Sequence, residues 1–199
     1  MLNLRREIIE KGQFPYGRRK VQYQSLGEEG MPGIRDMSHR YSVMGIESFD
    51  GGRVLDIGCS IGAVCINSIK IGASECVGVD INKNTIDVGS KYLLSKGYKG
   101  IRLFTCDINK GVEALSKVIG KSKFDFVFAL SIIKHVGKEP LFDIIRSYTG
   151  KSCWFEGHNR QKREAVEKLL CDNINDGRIE FLGYTTDRGK RPNFKISFG

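Results

Sequence analysis

Three aspartates at the ends of predicted strands are the residues of this chain best placed for chemistry. Asp56, Asp80 and Asp107 each stand at or just beyond the end of an apolar, strand-like run. Ligands of open α/β sheets bind outside the carboxyl ends of the strands, so we expect the three carboxylates to converge on one crevice. Asp80 can accept both hydroxyls of a ribose, and Asp107 can accept from an exocyclic adenine amine while Ile108 covers the ring.

A glycine-bounded turn follows the first of these strands. Gly58 and Gly62 lack a Cβ and let backbone approach a ligand closely. The helix that begins after Gly62 points its free N–H groups at whatever lies there. Asp56 would repel a diphosphate at this helix start, whereas it would attract an amino group or a sulfonium.

The elements that must position these residues alternate between strand and helix, which predicts a parallel sheet. The predicted fold is an α/β, Rossmann-like, doubly wound sheet that ends in an antiparallel hairpin. The predicted strands are 53–57, 75–79, 101–105, 124–130, 152–156, 179–185 and 194–198. The predicted helices are 63–71, 83–95, 111–118, 139–148 and 160–170.

An N-terminal extension of helix and loop, residues 1–48, precedes a predicted catalytic domain at 49–199. Within the extension, a short helix is predicted to begin after Ser38 as N-cap. We expect this extension to act as a lid or an arm over the crevice.

Composition limits the class of protein. Six cysteines without a Cys-x-x-Cys pair indicate reduced, buried thiols, and no metal site is predicted. No secretory signal or membrane span is expected, which favours a cytoplasmic location. The net charge of +9 is concentrated at 18–20, 160–163 and 188–191, so nucleic acid is one candidate partner and a generally basic surface is the alternative.

These motifs resemble those of class I S-adenosylmethionine-dependent methyltransferases. The stretches 54–62, 77–81 and 105–108 look like the first three motifs of that family, and 124–136 looks like its fourth strand and loop. Ser60 departs from the usual middle glycine. The resemblance implies S-adenosyl-L-methionine as cofactor, held by Asp56, Gly58, Cys59, Gly62, Asp80, Ile81, Asp107, Ile108 and Ser131.

The acceptor is less defined. The loop at 129–132 lacks the Asn/Asp-Pro-Pro-Tyr/Phe of DNA amine methyltransferases and the Pro-Cys of cytosine-C5 enzymes. His135 is a candidate catalytic base, with packing under the cofactor as its alternative role. Candidate substrate contacts are Glu156 and His158 after the fifth strand, and Arg35 and Arg40 in the extension.

The resulting hypothesis is in-line methyl transfer from the sulfonium to an RNA or small-molecule acceptor. Three alternatives stay open: a non-catalytic or regulatory nucleic-acid-binding protein on this fold, another chemistry that uses S-adenosylmethionine, and an NAD oxidoreductase. The last would need Gly-x-Gly-x-x-Gly, which is absent here. The sequence leaves the oligomeric state open.

Overall fold

A computed structural model describes residues 6–8, 10, 13–16, 19–26, 33–187 and 189–199. Its strands are β1 Gln13–Tyr16, β2 Arg19–Gln22, β3 Arg53–Ile57, β4 Glu75–Asp80, β5 Ile101–Thr105, β6 Phe124–Leu130, β7 Thr149–Glu156, β8 Gly177–Thr185 and β9 Arg191–Phe198. Its helices are α1 Met37–Met44, α2 Ala63–Lys70, α3 Lys83–Ser95, α4 Gly111–Ile119, α5 Lys138–Tyr148 and α6 Arg163–Asn173, with a 3₁₀ turn at Ile108–Lys110.

Seven strands form one sheet in the order β5-β4-β3-β6-β7-β9-β8. The five strands from β5 to β7 run parallel, and β9 lies antiparallel between β7 and β8. The predicted α/β class and terminal antiparallel hairpin are therefore confirmed. Within the described ranges, no helix is long and apolar enough to cross a membrane.

Both faces of the sheet carry a hydrophobic core. One core packs β3 and β6 against α4, α5 and α6, and the other packs the opposite face against α1, α2 and α3. Side chains alternate between faces along a strand, so Leu55 and Ile57 enter the first core while Val54 enters the second. The same alternation directs Asp56 toward the face covered by α1 and α2.

Several predicted boundaries were wrong for local physical reasons. Helix α6 begins at Arg163 rather than at Arg160, because Arg160 has a φ of +67° and Gln161 N–H closes a turn on the His158 carbonyl at 3.1 Å. Strand β7 begins at Thr149 rather than at Ser152. Strand β9 begins at Arg191 rather than at Phe194, because the hairpin pairing extends to Thr185 opposite Arg191.

Part of the extension is ordered against the sheet. The backbones of β1 and β2 form an antiparallel hairpin. Helix α1 is capped by Asp36, whose carboxylate accepts from the N–H groups of Ser38 and His39 at 2.9 and 3.4 Å, so the predicted cap at Ser38 was wrong. Met37, Tyr41 and Met44 of α1 are buried in the second core. The boundary between residues 48 and 49 stays a prediction.

Gly89 in the middle of α3 lets that helix lie directly on the turn that follows β3. A Cβ built there would lie 2.7 Å from the Ile61 carbonyl oxygen and 3.0 Å from Leu103 Cδ1. Alanine normally stabilises a helix by about 1 kcal/mol relative to glycine. We expect Gly89→Ala instead to lower the free energy of unfolding by about 1–3 kcal/mol, because the turn backbone must shift. Urea unfolding measures the change.

Ser90→Ala is the matched control, because Ser90 is exposed on the same helix. We expect it to change the free energy of unfolding by less than about 0.5 kcal/mol. Equal or greater stability in Gly89→Ala would contradict the close packing of α3 on the turn.

Candidate cofactor and acceptor site

A cleft of about 350 Å³, partly open to solvent, lies at the carboxyl edge of β4 and β5. It brings together five residues that the sequence predicts to bind the cofactor, and the predicted catalytic histidine lies on the same lining. These residues are Gly58, Asp80, Ile81, Asp107, Ile108 and His135. Asn109, Ile132 and Val136 also line the cleft and were missed. The apolar run after β6, at positions 132, 133 and 136, could have indicated that Ile132 and Val136 line the cleft.

The turn at 58–62 is held by β4. The N–H groups of Gly58 and Cys59 both donate to the Val79 carbonyl, at 2.8 and 3.0 Å. Gly58, Ser60 and Gly62 have φ values of +81°, +53° and +89°. Ser60 therefore adopts the positive φ that the usual middle glycine of this turn would have. A Cβ at Gly58 would lie 2.7 Å from Ile132 Cδ1, so only glycine fits on this wall of the cleft.

Asp80 joins the turn to the cleft. Its Oδ2 accepts from Ser60 N–H and its Oδ1 from Asn82 N–H, both at 2.9 Å. Each carboxylate oxygen has a second lone pair, so the half-buried Asp80 can still accept from two hydroxyls. This geometry fits a ribose whose two hydroxyls face the end of β4.

Asp107 and two isoleucines form the rest of the cleft floor and wall. The Asp107 carboxylate caps the 3₁₀ turn by accepting from Asn109 N–H at 3.1 Å. Ile108 is buried, whereas Ile81 is 64% exposed, an unusual exposure for a large aliphatic side chain. These apolar surfaces beside a carboxylate suit a planar, amine-bearing ring.

Asp56 is a buried carboxyl with an unpartnered oxygen. It is 2% exposed, and its Oδ2 has no hydrogen-bond partner in the described structure. Burial raises the pKa of Asp56 to about 7, Arg40 opposes that rise, and Asp80 adds to it. A buried acceptor without a donor costs free energy, so it fits an incoming cationic group such as an ammonium.

A fully buried ion cluster lies beside Asp56. Glu156 at the end of β7 accepts from Arg35 at 2.8 and 3.0 Å and from Arg40 at 2.6 Å. The hydroxyls of Thr185 and Ser131 also donate to this carboxylate, Thr185 at 2.6 Å. We call these five residues the Glu156 cluster. It places three predicted substrate residues and the predicted cofactor residue Ser131 together, all buried.

Two predicted contacts therefore have a geometry that the sequence did not suggest. Glu156 has no exposed surface, so its predicted contact with an acceptor would require the Glu156 cluster to open. Cys59 is also fully buried, and its side chain packs against Gly78. Only its backbone could then contact a ligand. Their assigned roles stay predictions, as do those of Arg35, Arg40 and Ser131.

Two histidines stand together at the mouth of the cleft. The rings of His135 and His158 meet edge to face, with centroids 5.4 Å apart. Burial, together with the nearby His135 and Lys134, lowers the pKa of His158 to about 4. His158 is therefore neutral near pH 7, and its Nε2 accepts from Lys134 N–H at 3.3 Å. His135 is exposed and free to meet a substrate.

The extension also reaches the start of α2. Gln24 is 3% exposed, and its Oε1 accepts from the N–H of Ala63, the first residue of the helix, at 3.3 Å. No pattern around Gln24 in the sequence signalled this role. Among the described residues, no group of three or more His, Cys, Asp or Glu side chains is arranged to hold a metal ion.

The comparison with known families agrees with this geometry. The description "Methyltransferase domain" matches residues 48–149, just over half of the chain. The chain belongs to this methyltransferase family. Its members have the class I fold, and S-adenosylmethionine is the family's cofactor. The predicted family, fold class and family cofactor are confirmed at this level, and the predicted activity of the chain stays a proposal.

Curated relatives match about half of this chain. A ubiquinone biosynthesis O-methyltransferase from Chelativorans sp. is 30% identical over 95 residues, which are 47% of this chain and 34% of that protein. A ribosomal protein L11 methyltransferase from Caldanaerobacter subterraneus is 26% identical over 95 residues, 46% of this chain and 31% of that protein. The chain thus spans about a third of the length of these relatives.

Solved structures support the methyltransferase fold. The kinase-methyltransferase WbdD aligns with a TM-score of 0.73 and 16% identity, covering 98% of this chain and 46% of that one. Magnesium protoporphyrin IX methyltransferase from Synechocystis PCC 6803, solved with S-adenosylmethionine bound, aligns with a TM-score of 0.59 and 18% identity. That alignment covers 81% of this chain and 77% of the other. At these identities the likeness concerns the fold alone.

The burial of Asp56 predicts a pH-dependent cost to stability. Its folded pKa of about 7 exceeds the unfolded value near 3.8, so the folded state retains a proton between these pH values. The contribution of Asp56 to the free energy of unfolding is fully present below about pH 4 and is lost as the pH rises through 7. We expect Asp56→Asn to raise the free energy of unfolding at pH 8 by up to about 4 kcal/mol, with little change near pH 4.

Urea unfolding at both pH values measures this effect. Asp87→Asn is the control, because Asp87 is exposed on α3 and pairs with Lys83. A stability difference for Asp56→Asn that is the same at pH 4 and pH 8 would show that the buried carboxyl is ionised throughout.

Proposed function

We propose that this protein binds S-adenosylmethionine in the cleft at the ends of β4 and β5 and transfers its methyl group to an acceptor. The observation that carries the proposal is the arrangement of Asp56, Asp80 and Asp107 around one glycine turn. Asp80 meets a two-hydroxyl ring, and Asp107 meets a planar amine between apolar side chains. Asp56 offers a buried, unpartnered acceptor to an ammonium.

The residues of the chain fit the cofactor at each of its parts. Gly58 leaves the cradle that a Cβ would fill, and the buried, unpartnered Asp56 Oδ2 supports a role as acceptor for the cationic amino-acid end. S-adenosylmethionine supplies a methyl group on a sulfonium, which needs little acid–base help if the acceptor is already nucleophilic. The main contribution of the protein is then orientation, which can supply about 7–11 kcal/mol of the barrier.

For the acceptor, we propose a hydroxyl or amine of a small molecule. The small solvent-open cleft and the O-methyltransferase among the relatives support this choice. The exposed His135 on the cleft lining is placed to take a proton from such an acceptor, and the neutral His158 beside it can accept or donate a hydrogen bond.

RNA is the second candidate acceptor, on one specific observation. Four exposed cations near the cleft have no ion-pair partner in the described structure: Lys134, Arg160 and Lys162 on two loops, and Lys138 at the start of α5. Such a rim can neutralise phosphates. Other basic residues of the predicted clusters are already engaged: Arg163 pairs with Glu167, and Arg191 is buried. A cytoplasmic location also stays a prediction.

Calorimetric titration with S-adenosylmethionine tests the donor site. We expect binding by the intact protein and a loss of about 10-fold or more in affinity for Asp80→Asn, because a charge-assisted acceptor of the ribose hydroxyls is removed. Asp87→Asn, an exposed change on the neighbouring helix, is expected to bind like the intact protein. The absence of binding by a folded intact protein would refute the methyltransferase proposal and favour a binding module on this fold.

Methyl transfer from labelled S-adenosylmethionine separates the two acceptors. We expect label in hydroxylated small molecules, with little dependence on salt and little change in a Lys134→Glu, Lys138→Glu double variant. Label in RNA that falls steeply with salt, and that is lost in this double variant, would favour the second candidate. Lys117→Glu with Lys121→Glu is the matched control, because these lysines lie around the distant helix α4.

A further inference from the structure

The Glu156 cluster joins four separate parts of the chain at the donor site. Glu156 ends β7, Ser131 follows β6, Thr185 ends β8, and Arg35 and Arg40 belong to the extension. The Ser131 N–H also donates to the Glu156 carbonyl at 2.8 Å, so the loop after β6 is fixed to β7 by both backbone and side chain. The Glu156 carboxylate therefore sets where the two arginines and this loop lie.

The charges of this cluster balance without Asp56. Arg35 also pairs with Asp187 through Nη1 at 3.0 Å, so two guanidinium groups face two carboxylates. Burial by itself would raise the pKa of Glu156, but Arg40 and Arg35 outweigh that effect and lower it. Glu156 is thus ionised and takes up most of the positive charge of Arg40, which leaves Asp56 without a full counter-ion.

Other groups around Asp56 contribute little charge near neutral pH. Arg40 of α1 and Asp80 of β4 are the charged side chains that face it. Burial raises the pKa values of the remaining titratable neighbours, so they stay neutral; the hydrogen bond of Cys65 with Cys76 only partly opposes this. These neighbours are Tyr41, Cys59, Cys65 and Cys76.

We propose that Glu156 is a positioning residue of the donor site: by holding Arg35 and Arg40, it withholds the positive charge of Arg40 from Asp56, which stays available to the cationic end of the donor. This inference rests on the proposed function for its ligand, but the charge relation between Glu156, Arg40 and Asp56 does not. Glu156 acts through Arg40 and need not touch the donor or the acceptor.

Two substitutions should shift the titration of Asp56 in opposite directions. Glu156→Gln leaves Arg40 with less compensation, so Asp56 should ionise about one pH unit lower. Arg40→Met removes the one cation that faces Asp56 among the residues that the structure describes, so Asp56 should ionise about one pH unit higher. A purely structural role for Glu156 would reduce stability without moving the two midpoints in opposite directions.

Carbon-13 NMR of aspartate carboxyls, with Asp56→Asn to assign the signal, reports these midpoints without any ligand. Calorimetric titration with S-adenosylhomocysteine from pH 5.5 to 9 then reports whether affinity follows the same midpoints. Glu75→Gln is the matched control, because Glu75 also binds two arginines, Arg53 and Arg102, but at the opposite edge of the sheet. We expect this control to leave the Asp56 midpoint and the affinity unchanged.

Glu156→Gln destabilises the fold, because it leaves buried arginines without full compensation. The double variant Glu156→Gln, Arg35→Met restores the net charge of the cluster and supports folding, but it still leaves Arg40 without Glu156, so the Asp56 midpoint should stay about one pH unit below that of the intact protein. Midpoints that stay the same in Glu156→Gln and Arg40→Met would overturn the inference. If the Asp56 midpoints do not move but the donor still binds, only this inference is overturned. If the midpoints move as expected but the donor does not bind, only the proposed function is overturned.

Discussion

The buried carboxylate of Glu156 is the interaction on which the rest of this site depends. An ion buried without a counter-ion is too costly to keep, so Glu156 requires the two arginines, and the arginines require Glu156 and Asp187. Because Arg35 and Arg40 come from the extension, this requirement pins residues 33–44 across the carboxyl edge of the sheet. The apolar face of α1 then completes the second core. A charge requirement at one strand end thus organises both the extension and the wall of the site.

The carboxylate of Asp80 has a comparable role on the other side of β3. It accepts from the N–H of Ser60 in the glycine turn and from that of Asn82 at the start of α3. The turn and the helix start are therefore fixed to the same group that faces the cleft. Gly89 allows α3 to lie close against this turn, so the position of the predicted ribose contact depends on helix packing as well as on its own strand.

Local patterns were sufficient for the strands that carry the site but not for its long-range contacts. The bounds of β3, β5 and β6 and the helix α3 follow from short apolar runs and a glycine-ended helical period, and the structure has them as predicted. The sequence predicts Arg35 and Arg40 as substrate contacts but contains no sign that they are buried. Their burial depends on Glu156, more than 110 residues away, and no local period encodes such a pairing. The hydrogen bond from Ala63 N–H, at the start of α2, to Gln24 was not predicted for the same reason.

The contrast between Glu156 and Asp56 indicates which buried acid is structural and which is kept for a ligand. Both lie at strand ends and both are buried, yet Glu156 receives five hydrogen bonds from four side chains whereas Asp56 Oδ2 receives none. Nothing in the fold requires an aspartate in a position that an apolar side chain, like its neighbours Leu55 and Ile57, would fill at lower cost. In the proposed function, a cationic ligand completes the coordination of this unpartnered carboxyl, which would link its cost in stability to the binding of the donor.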